Sequence, residues 1–235
     1  WHIGTILNAP NAEAFQSIRK KRKEKGIDDP LPIMLDVIHG YRTVYPVPVA
    51  LSCSFDLKLI EDCAKLAATE AKYDGIDVTF SPMVDLVRDA RWGRVMESGG
   101  EDPYWGGEVG KATIRGYHKG GIACCVKHFA GYGAAEAGKE YNTTDISERN
   151  LREYYLRPYR ECLKENPEMF MSSFNLLNGK PILGHKDIMV DMLRKEWGFD
   201  GVVISDYSSV EELYEHGYCA TGEDCACVSI ESGLD

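Results

Sequence analysis

Short apolar runs rich in β-branched residues recur along the chain: "IGTIL" (3–7), "PIMLDV" (32–37), "DVTFSP" (77–82), "IACCVKHF" (122–129), "MFMSSFN" (169–175) and "GVVISD" (201–206), with longer amphipathic stretches between them. This alternation constrains the fold more than any other feature. Parallel strands cannot be joined by a tight turn and need a crossover of about a dozen residues, usually a helix. Strand then helix, repeated, therefore prescribes a parallel sheet covered by helices. Between the second and third runs, Ile60, Cys63, Ala64, Ala67 and Ala71 share one helical face, Lys58, Glu61, Asp62, Lys65 and Glu70 belong to the polar remainder, and Asp56 is placed to cap the helix. A second helix is expected from the capping residue Ser147 through "ERNLREYYLRPYRECLKE" (148–165), kinked at Pro158.

Two architectures fit: a doubly wound open sheet and a (β/α)8 barrel. No G-x-G-x-x-G or Walker-type loop follows a strand, which weighs against a nucleotide-binding sheet. Polar and ionisable residues instead close nearly every run, at Asp36, Asp85, Lys127, His128, Asn175 and Asp206. A barrel keeps its active site at that end of its strands. The expected fold class is α/β, a (β/α)8 TIM-barrel-like domain that is incomplete, with about six strand-helix units present and roughly two missing.

The 235 residues carry a formal net charge of −10, which repels phosphate backbones and argues against a nucleic-acid partner. The one basic run, "RKKRKEK" (19–25), reads as a solvated helix face. No stretch approaches the ~18 apolar residues of a membrane span, so no membrane partner is expected. Trp1 leads straight into an apolar segment with no initiator Met and no signal-peptide n-region, which suggests that residues 1–235 are a single domain cut from a longer chain. The last residues, "CVSIESGLD", read as a helix entering a strand that is cut short. Of the eight cysteines, several fall inside apolar patterns where the residue acts as a small hydrophobe, and the spacing of Cys219, Cys225 and Cys227 is a weak zinc signal. No metal and no cofactor is expected. The cysteines lean towards a reducing cytoplasm, but a missing amino terminus leaves a periplasmic or secreted location open.

The run "GVVISD" delivers one carboxylate, Asp206, to a strand end, where an acidic residue serves either as a helix cap or as a working group. The segments "LDVIHGYRTVYPVPVAL", "FSPMVDLVRDARWGR", "ESGGEDPY", "VKHFAGYGAAEAGKEYNT", "NLLNGKP" and "WGFDGVVISDY" closely resemble, in order and over nearly the whole chain, glycoside hydrolase family 3, the β-glucosidase group. The resemblance implies the amino-terminal barrel domain of a retaining exo-β-glycosidase that takes a β-linked oligosaccharide or glucoside. Asp206 would be the nucleophile, its pKa held down by Lys127 and neighbouring arginines. The resemblance places Asp36, Arg94, Lys127 and His128 on the hydroxyls of the terminal sugar, with Arg42, Phe174 and Tyr207 also lining the pocket. Asp36 as a turn residue, the cations as structural partners of the "GGEDP" acids, and Arg42 reaching solvent are the plainer alternatives. Arg88, Asp89 and Arg91 are read as a network holding Arg94, and His39 as a buried structural histidine.

Three departures from the family pattern matter. Tyr207 stands where Trp often follows the serine-aspartate pair, and Phe174 where many members have Tyr. The loop "FAGYGAAEAGKEYN" (129–142) lacks the Asp/His dyad of the related N-acetylglucosaminidases, which favours a glucosidase or xylosidase. The family's general acid usually comes from a later, carboxy-terminal domain. Glu97, Glu101 and Glu136 are the internal candidates, and Glu97 and Glu101 fall in a loop the family uses structurally. Competing readings are a Schiff-base enzyme built on Lys127, a metal-dependent hydrolase using His39, His128 and Asp206, and a sugar-binding fragment without turnover.

Overall fold

The computed structural model describes residues 4–8 and 11–235. Trp1, and Ile3 of the first apolar run, lie outside the described residues. Six strands form one sheet in the order β1 (Ile6–Leu7), β2 (Ile33–Leu35), β3 (Val78–Thr79), β4 (Ala123–Phe129), β5 (Met169–Ser172) and β8 (Val202–Ile204). Each neighbouring pair is parallel, in registers such as Met34 with Val78, Thr79 with Cys124 and Met169 with Val202. Between β5 and β8 lies an antiparallel hairpin, β6 (Leu176–Leu177) and β7 (Lys180–Pro181), turned by Asn178 and Gly179 at φ 51° and 83°. An Asn-Gly pair accepts such positive φ values at least cost. The parallel sheet is curled and helix-covered, an incomplete TIM-barrel-like α/β fold with the six strands the sequence predicts.

The period of two along each strand divides the sheet into two faces. Ile33, Cys124, Val126, Phe170 and Val203 pack against helices in the main core. Met34, Val78, Phe80, Cys125 and Met171, with Ile204 beside them, form a second, smaller cluster on the inner face. Two residues on from Met34, Cys125 and Ile204 come Asp36, Lys127 and Asp206. The same alternation that buries the inner cluster therefore aims all three ionisable groups to the inner side, at the carboxyl ends of the strands.

The helices are α1 (Ala12–Glu24), α2 (Pro48–Ser52), α3 (Leu57–Asp74), α4 (Pro103–Gly120), α5 (Glu148–Asn150), α6 (Arg157–Cys162), α7 (Ser209–Glu215) and α8 (Gly222–Glu231). Asp56 caps α3 by accepting from the Leu59 N–H, and Ser147 caps α5 by accepting from the Asn150 N–H, both as expected. The basic run lies largely on exposed positions of α1, although Arg19 leaves it to pair with Asp77 at 2.6 Å. The stretch from Ser147 is not one kinked helix. A π-helical segment, Leu151–Tyr155, separates α5 from α6, where Pro158 sits in the first turn. Proline has no N–H to donate to the carbonyl four residues back, so the coil changes before it instead of bending at it.

α3 and α4 cross closely because α4 presents glycine there. A Cβ on Gly116 would lie 2.4 Å from the Glu61 carbonyl oxygen, and one on Gly120 2.3 Å from the Ala68 Cβ. At the amino ends of β4 and β5, Glu168 ties the strands together. It accepts from the Cys124 N–H at 3.0 Å and lies 3.3 Å from the His118 ring. After α8 the chain returns to the sheet, where the Asp235 N–H donates to the Val203 carbonyl at 3.0 Å, as a neighbouring strand would.

Candidate active site

Asp36 follows β2, Lys127 and His128 end β4, and Asp206 lies two residues beyond β8, so the sheet itself sets their spacing. Lys127 is buried, yet its Nζ reaches the half-exposed Asp36 carboxylate at 2.9 Å and Glu97 at 3.8 Å. Glu97 in turn binds Arg94 through two hydrogen bonds of 2.7 and 2.9 Å, a planar fork the guanidinium is shaped to make. Burial pushes the Glu97 carboxyl up, but Arg94 and then Lys127 bring it below the usual carboxylate value. The result is a row of alternating charges, Asp36, Lys127, Glu97 and Arg94, contributed by the residue after β2, by β4 itself and by the connection between β3 and β4.

His128 is fully buried, with Nδ1 2.8 Å from Asp85 and Nε2 3.3 Å from the Asp206 Oδ2. The latter pair faces at contact distance without a hydrogen bond, and neither atom has another partner. Burial, reinforced by the Arg94 and Lys127 charges, pushes the imidazole well below its ordinary pKa, so the ring is neutral. The other oxygen of Asp206 accepts from the Tyr207 N–H at 2.6 Å. The pKa of Asp206 is raised, not held down as the sequence suggests: burial outweighs the Tyr207 N–H, Lys127 and Arg94, and Asp36 adds to the rise.

The structure thus gathers Asp36, Arg94, Lys127, His128 and Asp206. It does not bring Arg42 to them. That guanidinium is largely exposed and binds Asp74 at 2.6 Å beside the turn entering β3, because a buried carboxylate there needs a cation more than the pocket does. Phe174 is buried behind the site, against Tyr132 and Tyr141 with ring centroids 5.8 and 4.7 Å away. Tyr207 is 78% exposed, so its ring is free to meet a ligand at the rim. Nor do Arg88, Asp89 and Arg91 hold Arg94. Arg91 pairs with Asp89 at 2.5 Å and Arg88 lies over the Tyr154 ring, leaving Glu97 as the group that fixes Arg94. His39 is half-buried, its Nδ1 3.3 Å from the Tyr45 carbonyl. Cys225 packs with Leu183 and Leu213, whereas Cys227 is exposed.

Sequence reasoning gave no role to Asp85, Tyr159 or Glu212, and set Glu97 aside. The spacing of Glu97 three residues after Arg94, on a single 3-10 turn (Val95–Glu97), is a readable signal for that pair. Glu212 on α7 has a buried, unpartnered Oε2. Burial, and then the Asp206 charge, push its carboxyl up to about 7. Chemically, the site sets an anionic carboxylate among fixed donors and acceptors, an arrangement suited to a polyhydroxylated ligand that develops positive charge.

The chain resembles known proteins along almost its whole length. The profile described as "Glycosyl hydrolase family 3 N terminal domain" matches residues 2–235. A periplasmic beta-glucosidase of Salmonella typhimurium is 40% identical over 240 residues, covering 99% of this chain and 31% of its own length. A beta-xylosidase of Formosa agariphila is 35% identical over 208 residues, covering 84% of this chain and 29% of the relative. The crystal structure of a beta-glucosidase from Listeria innocua in complex with glucose superposes with a TM-score of 0.95 at 45% identity, over 98% of this chain and 33% of that one. The chain thus spans about a third of the length of the relatives it matches. From its parallel half-barrel and this agreement along almost its whole length, the chain belongs to glycosyl hydrolase family 3 and matches that family's N-terminal domain over residues 2–235.

Proposed function

We propose that this chain is the barrel part of a retaining exo-β-glycosidase of the β-glucosidase type, which removes a non-reducing terminal sugar through a covalent intermediate on Asp206. The observation that carries the reading is the Asp206 carboxylate, fixed at a strand end with one oxygen on the Tyr207 N–H and the other unpartnered, beside His128 and the row Asp36, Lys127, Glu97 and Arg94. Asp206 attacks the anomeric carbon, and the bond to the aglycone oxygen breaks with its electron pair. A second carboxyl group ~5–5.5 Å from the nucleophile protonates that oxygen in enzymes of this type, and water then hydrolyses the intermediate. Asp36, Lys127 and Arg94 hold the hydroxyls of the departing sugar. The general acid is assigned to a later, carboxy-terminal domain, in keeping with the chain spanning a third of its relatives. No helix among the described residues is long and apolar enough to cross a membrane, and the name of the Salmonella relative makes the periplasm the compartment to test first.

The test is intact mass and peptide mapping after incubation with 2-deoxy-2-fluoro-β-glucosyl fluoride. Fluoride departs without protonation, so the reagent interrogates the nucleophile independently of the acid. A single adduct on the peptide containing Asp206 is expected, and an adduct elsewhere refutes the assignment. Because xylosidases also appear among the relatives, the xylosyl analogue is run in parallel, and faster labelling by it reassigns the sugar.

A further inference from the structure

Asp85 has no part in the reading above, yet it is 2% exposed and bonded on both oxygens. It follows the extended segment in which Met83 bridges to Lys127 and the Val84 N–H donates to the Lys127 carbonyl at 2.9 Å, so strand register sets it against His128. Its Oδ2 accepts the His128 backbone N–H at 2.9 Å and lies 2.8 Å from the ring Nδ1. Its Oδ1 accepts from the Tyr159 hydroxyl at 2.8 Å, and that hydroxyl also lies 2.6 Å from the His128 carbonyl. Burial pushes the Asp85 carboxyl up to about 6, against the His128 N–H and the Tyr159 hydroxyl, which donate to its two oxygens and favour the carboxylate form.

A carboxylate has no hydrogen to give, so the ring proton of a neutral imidazole in this contact belongs on Nδ1. Nε2 then carries a lone pair, and that lone pair faces the Asp206 Oδ2 at 3.3 Å. In this placement the two atoms make no hydrogen bond with each other, and neither has another partner. A hydroxyl hydrogen brought between them satisfies either one. With the proton on Nε2 instead, the ring would set the positive end of an N–H dipole against the Asp206 Oδ2 and draw electron density from that oxygen.

We infer that Asp85, clamped by Tyr159, is a positioning residue that fixes His128 as the Nδ1–H tautomer, so that Nε2 accepts a hydroxyl of the bound sugar and Asp206 stays free of a protein donor on its Oδ2. The inference rests on the glycosidase reading for its catalytic consequence but not for the tautomer itself, and the two are measured separately.

In the full-length protein carrying this chain, NMR of ring-15N-labelled histidine, with His128 assigned by difference against His128→Gln, reads the tautomer without any substrate. Nδ1–H is expected, and Nε2–H overturns the inference. An Asn at this position would keep its amide oxygen where Oδ2 accepts the His128 backbone N–H, so the informative variant is Asp85→Ala, which removes the acceptor from Nδ1 and is expected to shift His128 to Nε2–H. It should lower the saturating rate of Asp206 labelling by about 100-fold or more while the reagent's dissociation constant changes less than about tenfold. Tyr159→Phe leaves the carboxylate in place and is expected to keep Nδ1–H. An unchanged tautomer and labelling rate in Asp85→Ala also overturns the inference. If that variant does not fold, the tautomer of the unmodified protein decides. An Nδ1–H signal in a protein that no glycosyl fluoride labels upholds the tautomer and refutes the glycosidase reading instead.

Discussion

Lys127 is one ammonium serving several anions: it bonds Asp36, approaches Glu97 and lowers the pKa of Asp206 through space. A buried cation in that position costs desolvation, which its anions repay only while all of them are present. Lys127→Met keeps most of the side-chain volume and removes the charge. It is expected to weaken binding of the sugar reagent by about 10–100-fold, the loss of a charge-assisted hydrogen bond with its partner left unpaired. It also shifts the pH profile. Labelling needs Asp206 ionised and falls as pH drops through its pKa. Removing a charge that lowers this pKa moves the acid limb to higher pH, and a limb that stays in place refutes the coupling. The residue scale is also where the sequence was partly legible. Asp36, Lys127 and Asp206 share a strand-end position and an inner-face parity that can be read without coordinates. The bonds of Asp85 to His128 and of Arg42 to Asp74 cross 43 and 32 positions of chain, and no local pattern encodes them.

At the scale of elements, propensity and capping chemistry foretold much of what forms: α3 with its Asp56 cap, the Ser147 start and all six apolar runs. The π-helical segment before Pro158 and the longer one at Asp187–Glu196 were not foretold, because the choice between α and π coils depends on what the next layer packs against. The α3–α4 contact is held by absent side chains. Gly116→Val forces a branched side chain against the Glu61 carbonyl, and helices that cannot close must separate. Overpacking of this kind costs about 1–3 kcal/mol, so the denaturation midpoint in urea should fall. Gly93→Ala, where nothing lies within 4 Å of the added Cβ, serves as the control and should not lower it.

For the molecule as a whole, β1 and β8 pair on one side only among the described residues, apart from the contact of Asp235 with Val203. Unpaired parallel edges attract other chains. The 235-residue chain on its own is therefore expected to self-associate with rising concentration in sedimentation velocity, and a single species across the concentration range would mean that its edges are protected. The acidic groups, the lysine and the histidine of the site are drawn from the residue after β2, the connection after β3, β4 and the second residue beyond β8, so no single turn assembles it. Because side chains alternate along a strand, a slip of one residue in any pairing would rotate that strand's contribution out of the inner face and towards the helices. On the proposed glycosidase function, a sugar that engages the whole cluster would bind only the chain whose strands are all in step. Its binding free energy therefore stabilises that arrangement over every shifted one, and substrate would act as an inspector of the sheet's assembly as well as the material it works on.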